Sequence, residues 1–259
     1  TTALDVIMQD QFLKHLDELR EIRDFSLLFI THDIAVVFEM CNSMAVMHGG
    51  QIAEQGSTEA LFDESRHPYT TLLQRAFPDI RYPNRKLEGI EGTPPSLQEE
   101  EVDFCTFADR CPWAERECWE GAPPLEDVPD NDDDHEVACI RSDEMETLAS
   151  EYLTDDLDPA DSSAVTGPDR SEPDRVGPAG GREEGGSDDD APVIELRDLH
   201  KHFDSTTNIV ETIRAKLGGT ERSAVRAVDG VDLELEANQI QGVIGESGCG
   251  KSTLLKTVM

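Results

Sequence analysis

Two sets of residues in this 259-residue chain have the types and spacing to do chemistry. The first is Gly245-Glu246-Ser247-Gly248-Cys249-Gly250-Lys251-Ser252-Thr253, a full G-x-x-x-x-G-K-S/T phosphate loop. Its glycines let main-chain N–H groups turn inward around phosphate oxygens, and a helix beginning near Lys251 adds the favourable end of its dipole. In such a loop Lys251 reaches the β- and γ-phosphates and the Ser252 hydroxyl ligates Mg²⁺. The second set is Cys105-x₅-Cys111-x₆-Cys118-x₂₀-Cys139. In a cytosolic chain these are poor disulfide candidates, because that compartment keeps thiols reduced. Zinc sites usually show C-x₂₋₄-C pairs, which this set lacks, whereas iron–sulfur clusters accept varied thiolate spacing. On spacing alone a cluster, zinc and free thiols all stay open. Cys41, in an apolar stretch, reads as a small buried hydrophobe, and Cys249 as the incidental occupant of a variable loop position whose alkylation could block nucleotide.

The elements that must position these groups alternate between helix and strand. Val6–Arg23 carries Ile7, Phe12, Leu13, Leu16 and Leu19 near helical spacing. Ser26–Ile30 suits a buried parallel strand, and Ile34–Met40 is again helical in pattern. Ser43–Met47 and Gln51–Glu54 flank His48-Gly49-Gly50 as a hairpin, with short helices expected at Thr58–Phe62 and Pro68–Ala76. Val193–Phe203 and Val225–Glu236 alternate as strands do, and Gln239–Ile244 is a short apolar strand running into the phosphate loop. Between these blocks, residues 141–192 turn to Asp, Glu, Gly, Pro and Ser, with almost no large apolar residue after Leu157. Such a segment buries too little surface to offset chain entropy and is expected to be a disordered acidic linker.

Charge is distributed as unevenly as apolarity. The formal charge is −34, with 22 Lys and Arg against 56 Asp and Glu, which argues against nucleic-acid binding by a broad basic surface. Residues 1–140 carry 30 acids and 10 bases, residues 141–192 carry 16 and 4, and residues 193–259 carry 10 and 8. Only 6 of the cations are Lys, a balance that points to a salt-adapted, halophilic acidic surface. No apolar run approaches the roughly 18 residues of a membrane span, and no basic-then-apolar leader opens the chain, so a soluble, non-exported chain is expected.

Neighbouring residues decide among phosphate-loop proteins. Ala227-Val228-Asp229-Gly230-Val231-Asp232-Leu233 before the loop, and the loop through Leu254, resemble the ATP-binding-cassette (ABC) transporter ATPases. Thr1-Thr2-Ala3-Leu4-Asp5-Val6 resembles that family's D-loop, which follows the Walker B carboxylates, and Phe29-Ile30-Thr31-His32-Asp33 resembles its switch-histidine motif. These last two matches disfavour a kinase. Arg66-His67-Pro68-Tyr69-Thr70, Leu72-Leu73, Phe77-Pro78 and Glu91-Gly92-Thr93-Pro94-Pro95-Ser96-Leu97 resemble the C-terminal extension of the dipeptide/oligopeptide importer ATPases. The four cysteines resemble the same extension, and that resemblance implies a [4Fe–4S] cluster on Cys105, Cys111, Cys118 and Cys139, structural in role. Lys201-His202-Phe203 resembles the partner ATPase of these importers, with Phe203 stacking on adenine; its other reading is an edge-strand core residue.

Motif order is inverted, since the late motifs occupy residues 1–33 and the early one residues 245–253. The resemblance therefore implies an α/β chain of P-loop NTPase (ABC ATPase) fold in two incomplete halves. Residues 1–80 are the end of a first ATPase domain, 81–140 the four-cysteine extension, 141–192 the linker, and 193–259 the start of a second ATPase domain. No docking of the halves on one another is expected, and open sheet edges are. ATP would contact Gly245 through Thr253 and Phe203, with Mg²⁺ on Ser252. His32 would serve the first domain's own site, whose loop is absent, and Asp5 would cross a head-to-tail ATPase dimer interface toward Lys251. Without a Walker B glutamate to orient water, no hydrolysis by this chain alone is expected. The implied partners are two transmembrane permease subunits and an extracytoplasmic solute-binding protein, the implied place the cytoplasmic face of the cell membrane, and the implied cargo di- or oligopeptides. Nickel or another solute, or a non-catalytic iron–sulfur or zinc interaction protein, are the alternatives.

Overall fold

A computed structural model describes residues 6–76, 89–97, 103–129, 134–154, 191–204 and 224–259. The first half runs α1 (Val6–Arg23), β1 (Leu27–Ile30), α2 (Ile34–Met40), β2 (Ser43–His48), β3 (Gln51–Ser57), α3 (Thr58–Asp63) and α4 (Pro68–Arg75). Local chemistry starts the shorter helices. The Asp33 carboxylate accepts from Ala35 N at α2, the Ser57 hydroxyl accepts from Ala60 N at α3, and α4 opens with Pro68 at its first turn after the His67 ring accepts from Tyr69 N. Next come short strands β4 (Glu126–Asp127) and β5 (Glu136–Val137) and the helix α5 (Met145–Thr154). The last third forms β6 (Ile194–Asp204), β7 (Ala224–Leu235), β8 (Ile240–Ile244) and α6 (Lys251–Val258).

The two halves share one sheet, in the order β1-β8-β2-β3-β5-β4. Strand β8, from the far end of the chain, lies parallel to both β1 and β2: Ile30 faces Val243, and Ala45 faces Val243 from the other side. The expectation that the halves stay undocked is therefore corrected. Strand β8 has all five residues buried, and without neighbours on both edges it would leave unpaired N–H and C=O groups in an apolar setting. Alternation then divides the core. Met44, Val46, Ile240 and Ile244 face α1 to α4, while Ala45, Met47 and Val243 face β7 and α6 through Val228, Val231, Leu233 and Leu254. Strands β6 and β7 form a separate two-stranded antiparallel sheet.

Two sequence expectations shift. Among the α1 side chains whose burial is described, Leu13 is buried in the core; Phe12 and Leu19, assigned to the same apolar stripe, are exposed. Residues 141–154, expected as part of the linker, are instead ordered, because α5 packs on α4: Met145 is fully buried, Arg75 lies 4.3 Å over the Tyr152 ring, and Trp113 meets that ring edge-on. Met145 and Tyr152, two helical turns apart, supply the apolar face that the acidic residues around them obscure. Residues 155–190 lie outside the described residues.

Two outcomes follow from this packing. A Cβ on Gly242 would sit 2.6 Å from the Cγ1 of the wholly buried Val37, so Gly242→Ala overpacks the contact between β8 and α2. Thermal unfolding should remain a single transition, shared by both halves, at a Tm lowered by a loss of about 1–3 kcal/mol. The His48 ring, 3.0 Å from the Thr106 hydroxyl and packed against Tyr69 and Phe107, is held far below its ordinary 6.5, at about 3, by burial and secondarily by the Arg110 charge. Only the unfolded chain takes up this proton between those values, so stability attributable to His48 falls as pH drops below 6.5, by up to about 1.4 kcal/mol per pH unit. Urea denaturation as a function of pH should show a shallower acid slope in His48→Gln than in the parent chain.

Candidate functional site: a phosphate loop clasped by the cysteine extension

The phosphate loop leaves the sheet at the C-terminal end of β8 and enters α6, with Gly250 in left-handed conformation at φ 111° as the helix cap. It threads a gap that admits no side chain. A Cβ on Gly245 would lie 2.2 Å from the Met47 carbonyl oxygen, and one on Gly250 would lie 2.0 Å from that of Ala227. Glycine at these positions is thus a steric requirement of the sheet position as well as a means to cradle phosphate. The loop is tied down from three sides: Gly50 N donates to Cys249 O at 3.0 Å, Glu246 N donates to the Tyr69 hydroxyl at 2.8 Å, and Arg110 grips the Glu246 carboxylate with two guanidinium nitrogens at 2.6 and 2.9 Å.

Lys251 is buried, its ammonium donating to the carbonyl oxygens of Gly245 and Glu246, each at 2.8 Å. The charge therefore points into the mouth of its own loop, where a phosphate would replace the carbonyl oxygens. Ser247, Gly248 and Ser252 are exposed and Thr253 is half-buried, so the rim of the loop faces solvent. The Cys249 thiol is buried next to Lys251 and raised by burial more than that cation lowers it, which keeps it protonated and poorly reactive. Burial likewise lifts Cys41 to about 12, in line with its reading as a small hydrophobe.

His32 follows β1 as Gly245 follows β8. With Ile30 opposite Val243 in parallel register, both leave the sheet at the same edge, two residues past the pairing. The structure thus brings His32 and the phosphate loop out at the same edge of the sheet, whereas the family resemblance assigned His32 to another site. His32 is exposed there. Asp5 lies outside the described residues. Phe203, near the end of β6, is 46% exposed, which argues against its reading as an edge-strand core residue; Lys201 Nζ lies over the ring, 5.4 Å from its centroid.

Cys105, Cys111, Cys118 and Cys139 line one small cavity with Phe107, Trp113 and Pro123. Main-chain N–H groups point at every sulfur: those of Phe107 and Ala108 at Cys105, of Trp113 at Cys111, of Glu115 at Cys118 and of Arg141 at Cys139. Burial raises the thiols of Cys105, Cys111 and Cys139, the last two to about 12, and the other sulfurs of the set raise them further. Among the described residues, the side chains whose three ligand atoms lie within 4.8 Å of one another are His200, His202 and Asp229.

Sequence reasoning missed the clasp. Arg110 stands one residue before Cys111, and nothing in its local pattern announces a partner 136 positions away. It also missed the Glu54 node, where a fully buried carboxylate accepts from the main-chain N–H of Arg66 and His67 and pairs with the equally buried His135 at 2.8 Å. That node pins β3, the approach to α4 and the extension together. An acid directly after the apolar pair Ile52-Ala53 in a strand was the available signal.

Comparison with known proteins agrees with this geometry. Residues 53–118 match the family described as the C-terminal region of oligopeptide/dipeptide transporters, and residues 228–259 match the ABC transporter family. The oligopeptide transport ATP-binding protein OppD of Mycobacterium bovis is 34% identical over 260 residues, covering 100% of this chain and 37% of that protein. A probable peptide ABC transporter ATP-binding protein, y4tR of Sinorhizobium fredii, is 42% identical over 149 residues, 57% of this chain and 43% of its own. The dipeptide transport ATP-binding protein DppD of Escherichia coli is 38% identical over 125 residues, 48% of this chain and 38% of its own. The chain spans less than half the length of each of these relatives. With its phosphate loop, α/β sheet and four-cysteine extension, the chain belongs to the P-loop ATP-binding proteins of the oligopeptide/dipeptide ABC transporter family.

Proposed function

We propose that this chain is part of the ATP-binding and ATP-hydrolysing component of an importer that energises uptake of di- or oligopeptides. The observation that carries the reading is the phosphate loop seated beside the switch-histidine segment, with the Lys251 ammonium held over carbonyl oxygens that a phosphate would displace. In this reading Lys251 and the exposed Ser252, through Mg²⁺, neutralise phosphate charge, Gly245 through Thr253 supply main-chain donors, and the half-exposed ring of Phe203 stacks on adenine. His32 orients toward the terminal phosphate, and Asp5 acts across a head-to-tail pair of ATPase domains. Two transmembrane permease subunits, a solute-binding protein outside the membrane and a seat at the cytoplasmic face complete the assembly. Supporting the division into a first domain's end, an extension and a second domain's start, the mycobacterial relative matches the whole chain collinearly while being more than twice as long.

The cysteine set fits a [4Fe–4S] cluster. N–H groups aimed at each sulfur stabilise thiolates, and the four sulfurs line one cavity in a spacing that iron–sulfur clusters accept. Bound there, the cluster would staple a loop-rich segment; the chain's own residues do the remaining work of holding Arg110 against Glu246.

Two experiments test these readings. Fluorescence titration with a labelled ATP and Mg²⁺ should give saturable binding that Lys251→Ala weakens by about tenfold or more, as expected for loss of a charge-assisted contact; unchanged affinity in the variant would remove the nucleotide role. Anaerobically purified chain should contain iron and acid-labile sulfide with a broad visible absorption, all reduced in Cys139→Ser. Zinc in place of iron and sulfide would replace the cluster by a zinc site.

A further inference from the structure

The β6–β7 hairpin carries a side-chain cluster that the nucleotide site does not use. Asp198, His200 and His202 alternate along β6, and Asp229 stands on β7. The pairing there is irregular on both strands. Between Leu196–Leu233 and Leu199–Val231, β6 has an extra residue, where Asp198 takes φ 47°; between Leu199–Val231 and Lys201–Val228, β7 has one at Asp229–Gly230, with Gly230 at φ 69°. Bulges re-aim side chains, and these two turn both carboxylates toward the histidines. Asp229 Oδ1 lies 2.9 Å from His200 Nδ1 and 2.8 Å from His202 Nε2, so two ring nitrogens converge on one oxygen. Asp198 Oδ1 holds the other nitrogen of His200 at 2.8 Å, and Arg226 holds the other Asp229 oxygen at 3.2 Å.

We propose that His200 Nδ1, His202 Nε2 and Asp229 Oδ1 form a binding site for a divalent transition-metal ion that clips β6 to β7. All three ligand atoms lie within 4.8 Å of one another, and both rings are partly exposed, leaving a side open for water as a further ligand. Two imidazoles and one carboxylate suit zinc, nickel or copper; magnesium and calcium want oxygen donors, and Arg226 already occupies the second oxygen. Asp198 acts one step out: by accepting from His200 Nε2 it leaves Nδ1 with its lone pair toward the metal, the arrangement in which a carboxylate orients a ligating histidine. Phe203 follows His202 directly, so the clip fixes the strand that presents the exposed ring. The proposal does not rest on the ATPase reading.

The test is calorimetric titration of Ni²⁺ into the full chain, stripped by chelator and kept reduced, with far-UV circular dichroism showing that each variant retains the fold. One Ni²⁺ equivalent should bind and lose at least about tenfold in affinity in His202→Ala and Asp229→Asn. Asp198→Asn keeps all three ligands and should still weaken binding by about tenfold. His15→Ala, which leaves the cluster intact, should keep that equivalent. Wild-type affinity in His202→Ala, loss confined to Cys111→Ser, or no Ni²⁺ bound by the parent chain would each overturn the site.

Discussion

Everything in this structure depends on strand β8 occupying the slot between β1 and β2. Two parallel neighbours satisfy its main chain, and its five buried residues feed both faces of the core. Only a residue without a side chain fits at Gly242, where Val37 and Cys41 of the α2 region close on the strand. The same insertion lets the Ser43 hydroxyl and the Gln241 side chain meet across the β2–β8 pairing, and lets Asn42 accept from Ile240 N. A strand exposed on both edges would invite pairing with other chains; here the complementary half of the fold lies within the same polypeptide.

With β8 in place, the phosphate loop inherits its surroundings from both halves. Met47 and Ala227 carbonyl oxygens wall it in, and Tyr69 and Arg110 reach it from α4 and the cysteine extension. Arg110 is the link that joins the two chemistries. Its guanidinium is almost fully buried, it packs 5.7 Å from the Phe107 ring, and it ends on Glu246 in the loop. Because Phe107 also borders the cysteine cavity, the order of that segment and the position of Glu246 are mechanically connected. A buried arginine needs its charge matched, and a two-pronged carboxylate contact in a fixed plane does this with more directional restraint than a lysine would.

The elements were largely legible because their signals are local. The hairpin around His48-Gly49-Gly50, the strand before the loop and the helices at Ile34 and Pro68 each follow from a run of at most a dozen residues, and the structure has them close to where the pattern puts them. The phosphate loop was legible for the same reason. What could not be read is pairing over long separations. Nothing in Leu27-Leu28-Phe29-Ile30 says that its partner is Ile240–Val243, and the Arg110–Glu246 and Glu54–His135 contacts are decided by where the sheet brings their backbones. In α1, periodicity identified a helix correctly but overstated its buried face, since Phe12 and Leu19 are exposed while Leu13 is buried. The helix at Met145 was missed because composition averages over a window in which two apolar residues, Met145 and Tyr152, carry the packing.

Charge placement bears on how the loop could be loaded. The strongly acidic residues 1–192 would repel a polyanion at long range, yet the block from 193 onward is nearly neutral, and the loop's own acid, Glu246, is neutralised by Arg110. Lys251 is left as the cation within the loop, and it is satisfied by carbonyl oxygens, which are dipoles and not charges. Exchanging two carbonyl contacts for a phosphate dianion therefore gains Coulomb energy without first breaking an ion pair. Had Glu246 turned inward to pair with Lys251, that exchange would have had to separate opposite charges in a buried setting. By holding Glu246 outward, the extension leaves the ammonium available to phosphate.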